Sequence, residues 1–138
     1  MNEVKNDLRK LGKEELDNLS RKVIGACIEV HKAMGPGLLE KVYECCLMKE
    51  FQLMAIKAQS QVSIPLIYKG CELNRNYSID ILVEEEIILE LKSVENMIPI
   101  FDAQIISYLK LADKRLGFLV NFNVPLAKAG IKRFVNNF

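Results

Sequence analysis

The chain has 138 residues, 50% of them hydrophobic, and its 19 basic and 18 acidic side chains leave a formal net charge of +1. That length suits one domain with one core, and the apolar content excludes a disordered tail. The balanced charge gives no strong electrostatic footprint for nucleic acid, although a local patch fits within a neutral total, and no stretch is long and apolar enough to span a bilayer.

Residues 1–13 are polar and predict a flexible N-terminal segment ahead of a single domain over 14–138. The opening MNEVKNDLRKLGKEELDN is charged throughout and has no apolar signal region, so a cytoplasmic protein is expected. A helix is predicted from Glu14 or Glu15, with Leu16, Leu19, Val23, Cys27, Val30 and Met34 on its inner face and Ile24, Ile28 and His31 on an adjoining edge. Gly35-Pro36-Gly37 breaks it. A second helix follows over Leu38 to Met54, with Leu38, Val42, Cys45 or Cys46, and Lys49 or Phe51 marking its inner side. The four cysteines form no CxxC pair and read as reduced, buried thiols.

After Lys57 the period changes. Val62, Ile64 and Leu66 alternate, and Pro65 points to an edge strand. Tyr68-Lys69-Gly70-Cys71 reads as a turn, Asn74 to Val83 and Ile87 to Ser93 as strands, and Glu84-Glu85-Glu86 as the turn between them. Near-continuous aliphatic character places this hairpin in mid-sheet with both faces covered. Pro99 precedes a helix over Ile100 to Leu111, Gly117 to Phe122 is a short buried strand, and Leu126 to Val135 is expected to form a closing helix. The element order predicts an α/β sandwich.

The hairpin carries charge in an otherwise aliphatic setting. Glu90 and Lys92 are two apart and share one strand face, while Leu89 and Leu91 pack on the other. A turn centred near Glu85 brings Asp80 to the level of Glu90, making the two carboxylates cross-strand neighbours. Two adjacent carboxylates in a low-dielectric site either share a proton or hold a cation, and hard oxygen ligands suit magnesium or manganese. Such an ion polarises a phosphodiester and activates water, and Lys92 on the same face can orient that water or balance transition-state charge. On these three residues alone, a solvated ion pair at the strand ends is the open alternative.

Three further features bear on the choice. Glu40 sits in the first turn of the second helix, where the dipole favours an anion; an exposed helix-start acid is the plainer reading. Gln104 and Tyr108 lie four apart on one face of the third helix, where their amide and hydroxyl suit a phosphate or a nucleic-acid strand; a polar helix face is the alternative. His31, the one histidine, is either a core residue or a group that reaches the cleft near Glu40.

The stretches GACIEVHKAMGPGLLEKVYECCL, YSIDILVEEEIILELKS, AQIISYLKL and GFLVNFNVPLAKAGIKRFVN resemble the GxxExxY protein family, assigned to the PD-(D/E)xK nuclease-like superfamily, over about Leu19 to Asn136. The resemblance implies a restriction-endonuclease-like α/β/α sandwich with a central mixed sheet. It implies metal ligation by Asp80, Glu90 and Glu40 with the backbone carbonyl of Leu91, and a catalytic Lys92. Gln104 and Tyr108 match the Gln-x-x-x-Tyr element of the RecB-like branch, and His31 falls in the Val-His segment. Ile79 stands where the superfamily's name-giving proline precedes the aspartate; that proline is not a ligand. The implied function is a magnesium- or manganese-dependent nuclease acting on nucleic acid, DNA ahead of RNA. The lack of an apolar span argues against a membrane partner, and a homodimer is a natural arrangement on a duplex that nothing in the chain demands. The alternative is a non-cleaving nucleic-acid-binding or protein-interaction domain on the same fold, with Lys110, Lys114, Arg115, Lys128, Lys132 and Arg133 available to contact a backbone.

Overall fold

A computed structural model describes residues 10–138. The expected flexible segment over 1–13 lies mostly outside the described residues. Of its described part, Leu11 is tied down: its N–H donates to Glu86 and its carbonyl accepts from Arg115. Two helices come first, α1 over Lys13–Met34 and α2 over Glu40–Leu53. Three strands follow, β1 over Ala58–Tyr68, β2 over Cys71–Val83 and β3 over Ile87–Lys92. Helix α3 over Pro99–Leu111 leads into β4 over Leu116–Asn121, and a single 3-10 turn at Ala127–Gly130 leads into β5 over Ile131–Val135.

The five strands form one sheet in chain order, β1-β2-β3-β4-β5. Only the β3–β4 pair is parallel; the other three are antiparallel, so the sheet is mixed. The parallel pair requires a crossover, and α3 supplies it. Helices α1 and α2 cover one face, packing Leu16, Val23, Tyr43, Leu47 and Phe51 onto Ile81, Leu89, Leu91, Phe118 and Val120. Helix α3 covers the other, with Ile105 and Leu109 on Leu82, Ile88 and Leu119. Both faces being covered explains why IILELK and LGFLVN read as almost unbroken apolar runs. The result is the α/β/α sandwich expected of a restriction-endonuclease-like domain.

The β1–β2 hairpin is much longer than the sheet it joins. Strand β2 pairs with β3 only from Ile81 to Val83, whereas its pairing with β1 runs on to Cys71, where Lys69 (φ 51°) and Gly70 (φ 78°) make a tight two-residue turn. Pro65 lies on the outer edge of this arm next to a register shift, as its missing N–H requires.

Four expectations are corrected. Leu126 to Val135 is not a helix: Ile131 to Val135 pairs antiparallel with β4 and closes the sheet. Ile131, Phe134 and Val135 mimic helical spacing, but the free edge of β4 offers the backbone a ladder, and Gly130 allows the chain to come against it. The inner face of α2 is centred on Tyr43, Leu47 and Phe51: of the expected positions Phe51 is buried and Leu38 and Cys46 pack at the margin of the core, while Cys45 and Lys49 are exposed. Met34, at the end of α1, is exposed, and of the cysteines only Cys27 is fully buried, where burial pushes its thiol up to about 12.

Candidate active site

Past the Ile81–Leu89 pair the backbones of β2 and β3 part, and side chains take over the ladder. The Asp80 N–H donates to Glu90 Oε2 at 2.9 Å, and the Leu91 N–H donates to Asp80 Oδ2 at 2.8 Å. The two carboxylates are thus held as neighbours across the hairpin, as the turn position predicts. Glu90 is only 8% exposed. Burial, followed by the neighbouring Asp80 charge, pushes its carboxyl up to about 8, against the opposing pull of the Asp80 N–H and Lys92. Without a cation, the pair therefore carries a proton near neutral pH.

Because β3 side chains alternate, Ile88, Glu90 and Lys92 face α3 while Leu89 and Leu91 face α1 and α2. Lys92 Nζ lies 4.2 Å from the Phe101 ring centroid, a cation–π contact at the start of α3. Two turns further along α3, Tyr108 sits 5.7 Å from the Tyr77 ring, centroid to centroid. Burial, and then the charges of Glu90 and Asp80, hold the Tyr108 hydroxyl above its usual value, which places it within electrostatic reach of the carboxylate pair. Gln104, one turn before Tyr108, is exposed.

Glu40 is the first residue of α2 and is exposed, yet its charge contributes to raising Glu90. It is carried there by a braced loop. Gly35 (φ 72°) and Gly37 (φ 94°) turn the chain in the left-handed region that favours glycine. Tyr43, fully buried, donates its hydroxyl to the Gly35 carbonyl at 2.6 Å and accepts the Leu38 N–H at 3.1 Å, while its ring stacks on Phe122 at 4.3 Å. The Ser93 hydroxyl donates to the Leu38 carbonyl and fastens the end of β3 to the same loop. The spacing Gly37-x-x-Glu40-x-x-Tyr43 thus has a physical meaning: the glycine turns the loop, the tyrosine braces it, and the glutamate is presented one helical turn from the brace.

Two polar residues enter the site that sequence reasoning passed over. Gln61 in β1 donates its amide to Glu44 Oε1 at 2.7 Å and, more weakly, to Asp80 Oδ1 at 3.4 Å. Glu44 is one turn after Glu40 on α2, and its acid spacing was the one available signal.

His31 is buried; its Nε2 hydrogen-bonds the Val124 carbonyl at 2.7 Å and its ring lies against Phe122. None of these contacts is with Glu40, Asp80 or Glu90, so the structure does not bring His31 into the carboxylate group. Of the six basic residues, Arg115 pairs with Glu86 and Lys132 with Asp102, and Arg133 lies over Phe138.

Among the described residues, no three His, Cys, Asp or Glu side chains converge on one point as a ready-made metal site. The convergence is two-fold, Asp80 with Glu90, and Glu40 stands further out. One oxygen of each inner carboxylate is engaged by a backbone N–H, leaving as donors Glu90 Oε1 and Asp80 Oδ1, the latter with only its 3.4 Å contact to the Gln61 amide. Two hard oxygens, one on the buried Glu90 and one on the half-buried Asp80, fit an ion such as magnesium, which is commonly held by one or two carboxylates and completed by water and phosphate.

A hairpin that opens at an Asp–Glu pair with a lysine beside it, set in a helix-covered mixed sheet, defines a nuclease-like α/β/α domain. The chain matches the family model described as the PD-(D/E)XK nuclease superfamily over residues 17–134, and it belongs to that superfamily. No curated protein and no solved structure matches it.

Proposed function

We propose that the protein is a magnesium- or manganese-dependent nuclease that hydrolyses phosphodiester bonds, in DNA ahead of RNA. The observation that carries this reading is the Asp80–Glu90 pair, locked across the hairpin with Glu90 buried and Lys92 on the same strand face. A bound divalent cation supplies Lewis-acid activation of the scissile phosphate and of water. Asp80 and Glu90 would hold it, with the Leu91 carbonyl as a further oxygen and Glu40 at the helix start as an outer carboxylate. The Lys92 ammonium, kept in place by Phe101, steadies the attacking water and the charge that develops on the phosphate. Gln104 and Tyr108 orient the substrate strand along α3, and Tyr108 remains a neutral donor throughout the physiological range. His31 acts at one remove, through the fold. A homodimer would present two such sites, one for each strand of a duplex.

One observation favours a second reading, a nucleic-acid-binding or protein-interaction domain that does not cut: Glu40 stands apart from the inner pair. Asp80→Asn separates the two. The amide oxygen still accepts the Leu91 N–H, so the fold persists. For a nuclease, calorimetric titration of manganese shows binding in the native chain and none in the variant, and metal-dependent cleavage of oligonucleotides disappears with it. For a non-cleaving binder, oligonucleotide affinity is unchanged or higher in the variant and neither protein cuts.

A further inference from the structure

We propose that Gln61 is a positioning residue for Asp80, holding the free oxygen of that carboxylate at the setting a cation needs. The inference rests on the reading of Asp80 as a metal ligand and extends it to a residue on another strand.

The backbone supplies the first argument. Ser60 pairs with Ile81 and Val62 with Ile79, but Gln61, opposite Asp80, drops out of the ladder and sits at φ 52°. A glutamine in the left-handed region within a strand is disfavoured by its Cβ, and an extended Gln61 would gain a pair. Such strain persists where surrounding interactions over-determine it, and it gathers at functional sites.

Those interactions are the second argument. The Ser78 hydroxyl donates to Gln61 Oε1 at 2.8 Å, and the two amide hydrogens of Gln61 face two carboxylates, Glu44 Oε1 at 2.7 Å and Asp80 Oδ1 at 3.4 Å. This orientation is the only consistent one, since a flipped amide would set its oxygen against both acids. Asp80 is thereby contacted at both oxygens, Oδ2 firmly by the Leu91 N–H at 2.8 Å and Oδ1 more weakly by the Gln61 amide at 3.4 Å. Oδ2 is spent on the strand; Oδ1 is the oxygen a cation would take, so its orientation depends on Gln61. Glu44 anchors the amide from α2 and links Asp80 to the helix that carries Glu40.

The test compares Gln61→Gly and Gln61→Met by manganese calorimetry and thermal melting, with Asp80→Asn alongside. Glycine relieves the backbone and deletes the amide; methionine keeps the shape and deletes only the polar atoms. A merely structural Gln61 predicts that glycine is harmless or stabilising with manganese affinity unchanged. Positioning predicts that glycine melts no lower than the native chain, yet both variants bind manganese about tenfold or more weakly, as for other residues that orient ligands. Native affinity in both variants while Asp80→Asn binds nothing overturns the inference and leaves the metal site standing. Native affinity in Asp80→Asn overturns the metal site and this inference with it.

Discussion

The Glu90 carboxylate accepts the Asp80 N–H at 2.9 Å, while the Asp80 carboxylate accepts, at 2.8 Å, the N–H of Leu91 on the Glu90 strand. Two acids whose charges repel are thus the last rung of the hairpin that carries them. The arrangement ties protonation, strand pairing and ligand binding to the same two carboxyl groups, one oxygen of each on the strand and the other left for a ligand.

The first prediction is a pH dependence. Glu90 titrates near 4.5 unfolded and at about 8 folded, so the folded chain binds the extra proton between those values. Its contribution to stability is complete below 4.5 and is lost as pH rises through 8. Denaturant melts in chelator should show stability declining across that window by up to about 1.4 kcal/mol per pH unit. Glu90→Gln, which still accepts the Asp80 N–H, should flatten the decline and be the more stable protein at pH 8.5. Manganese must displace the same proton, so its affinity in the native chain should climb up to about tenfold per pH unit and level off above 8.

Lys92 should separate binding from chemistry. Lys92→Met keeps the stem and removes the ammonium; cleavage should fall by about 100-fold or more while manganese affinity changes little. Phe101→Leu removes the ring under the ammonium, 4.2 Å away, and with it about 0.5–2 kcal/mol of positioning. Cleavage by that variant should drop severalfold, with no change in metal affinity.

Tyr43→Phe tests the brace. Stacking on Phe122 survives, but the Gly35 carbonyl and the Leu38 N–H each lose a partner. Urea denaturation should show a loss of about 1–3 kcal/mol. Cleavage should fall as well, since the loop that presents Glu40 is released.

Gly130→Ala tests the closing strand. A Cβ there would stand 2.0 Å from the Asn121 carbonyl oxygen, which is backbone and cannot yield cheaply. Asn121 is itself committed, its side chain bonding both the N–H and the carbonyl of Val94. We expect at least about 1–3 kcal/mol of destabilisation, measured by thermal or denaturant unfolding.

The charged hairpin was legible because antiparallel pairing is arithmetic: a turn at Glu84 to Glu86 sets Asp80 opposite Glu90, and alternation sets Lys92 beside it. The helices were legible by period and by the Gly-Pro-Gly break. What escaped depends on tertiary partners. Strand β5 forms because β4 has an edge to fill, which Ile131 to Val135 does not disclose locally. Tyr43 was passed over because the aliphatic stripe of α2 seemed sufficient, although its hydroxyl is what organises the loop. Gln61 had no period, no charge and no motif, and its left-handed backbone is not written in a glutamine.

The long β1–β2 arm has a consequence for motion. From Cys71 to Ile79, strand β2 has β1 as its sole ladder partner, while Ile81 to Val83 lie between two strands and under helices. Opening free energies rise with such enclosure. Amide exchange should therefore run as a steep gradient along one continuous strand, fast through the arm and slow over Ile81 to Val83. Asp80 stands where the gradient breaks, with one neighbour in the soft segment and the other in the rigid one. Load applied to the arm would pass directly to Asp80, making it the fulcrum between a pliant hairpin and the fixed floor of the sheet.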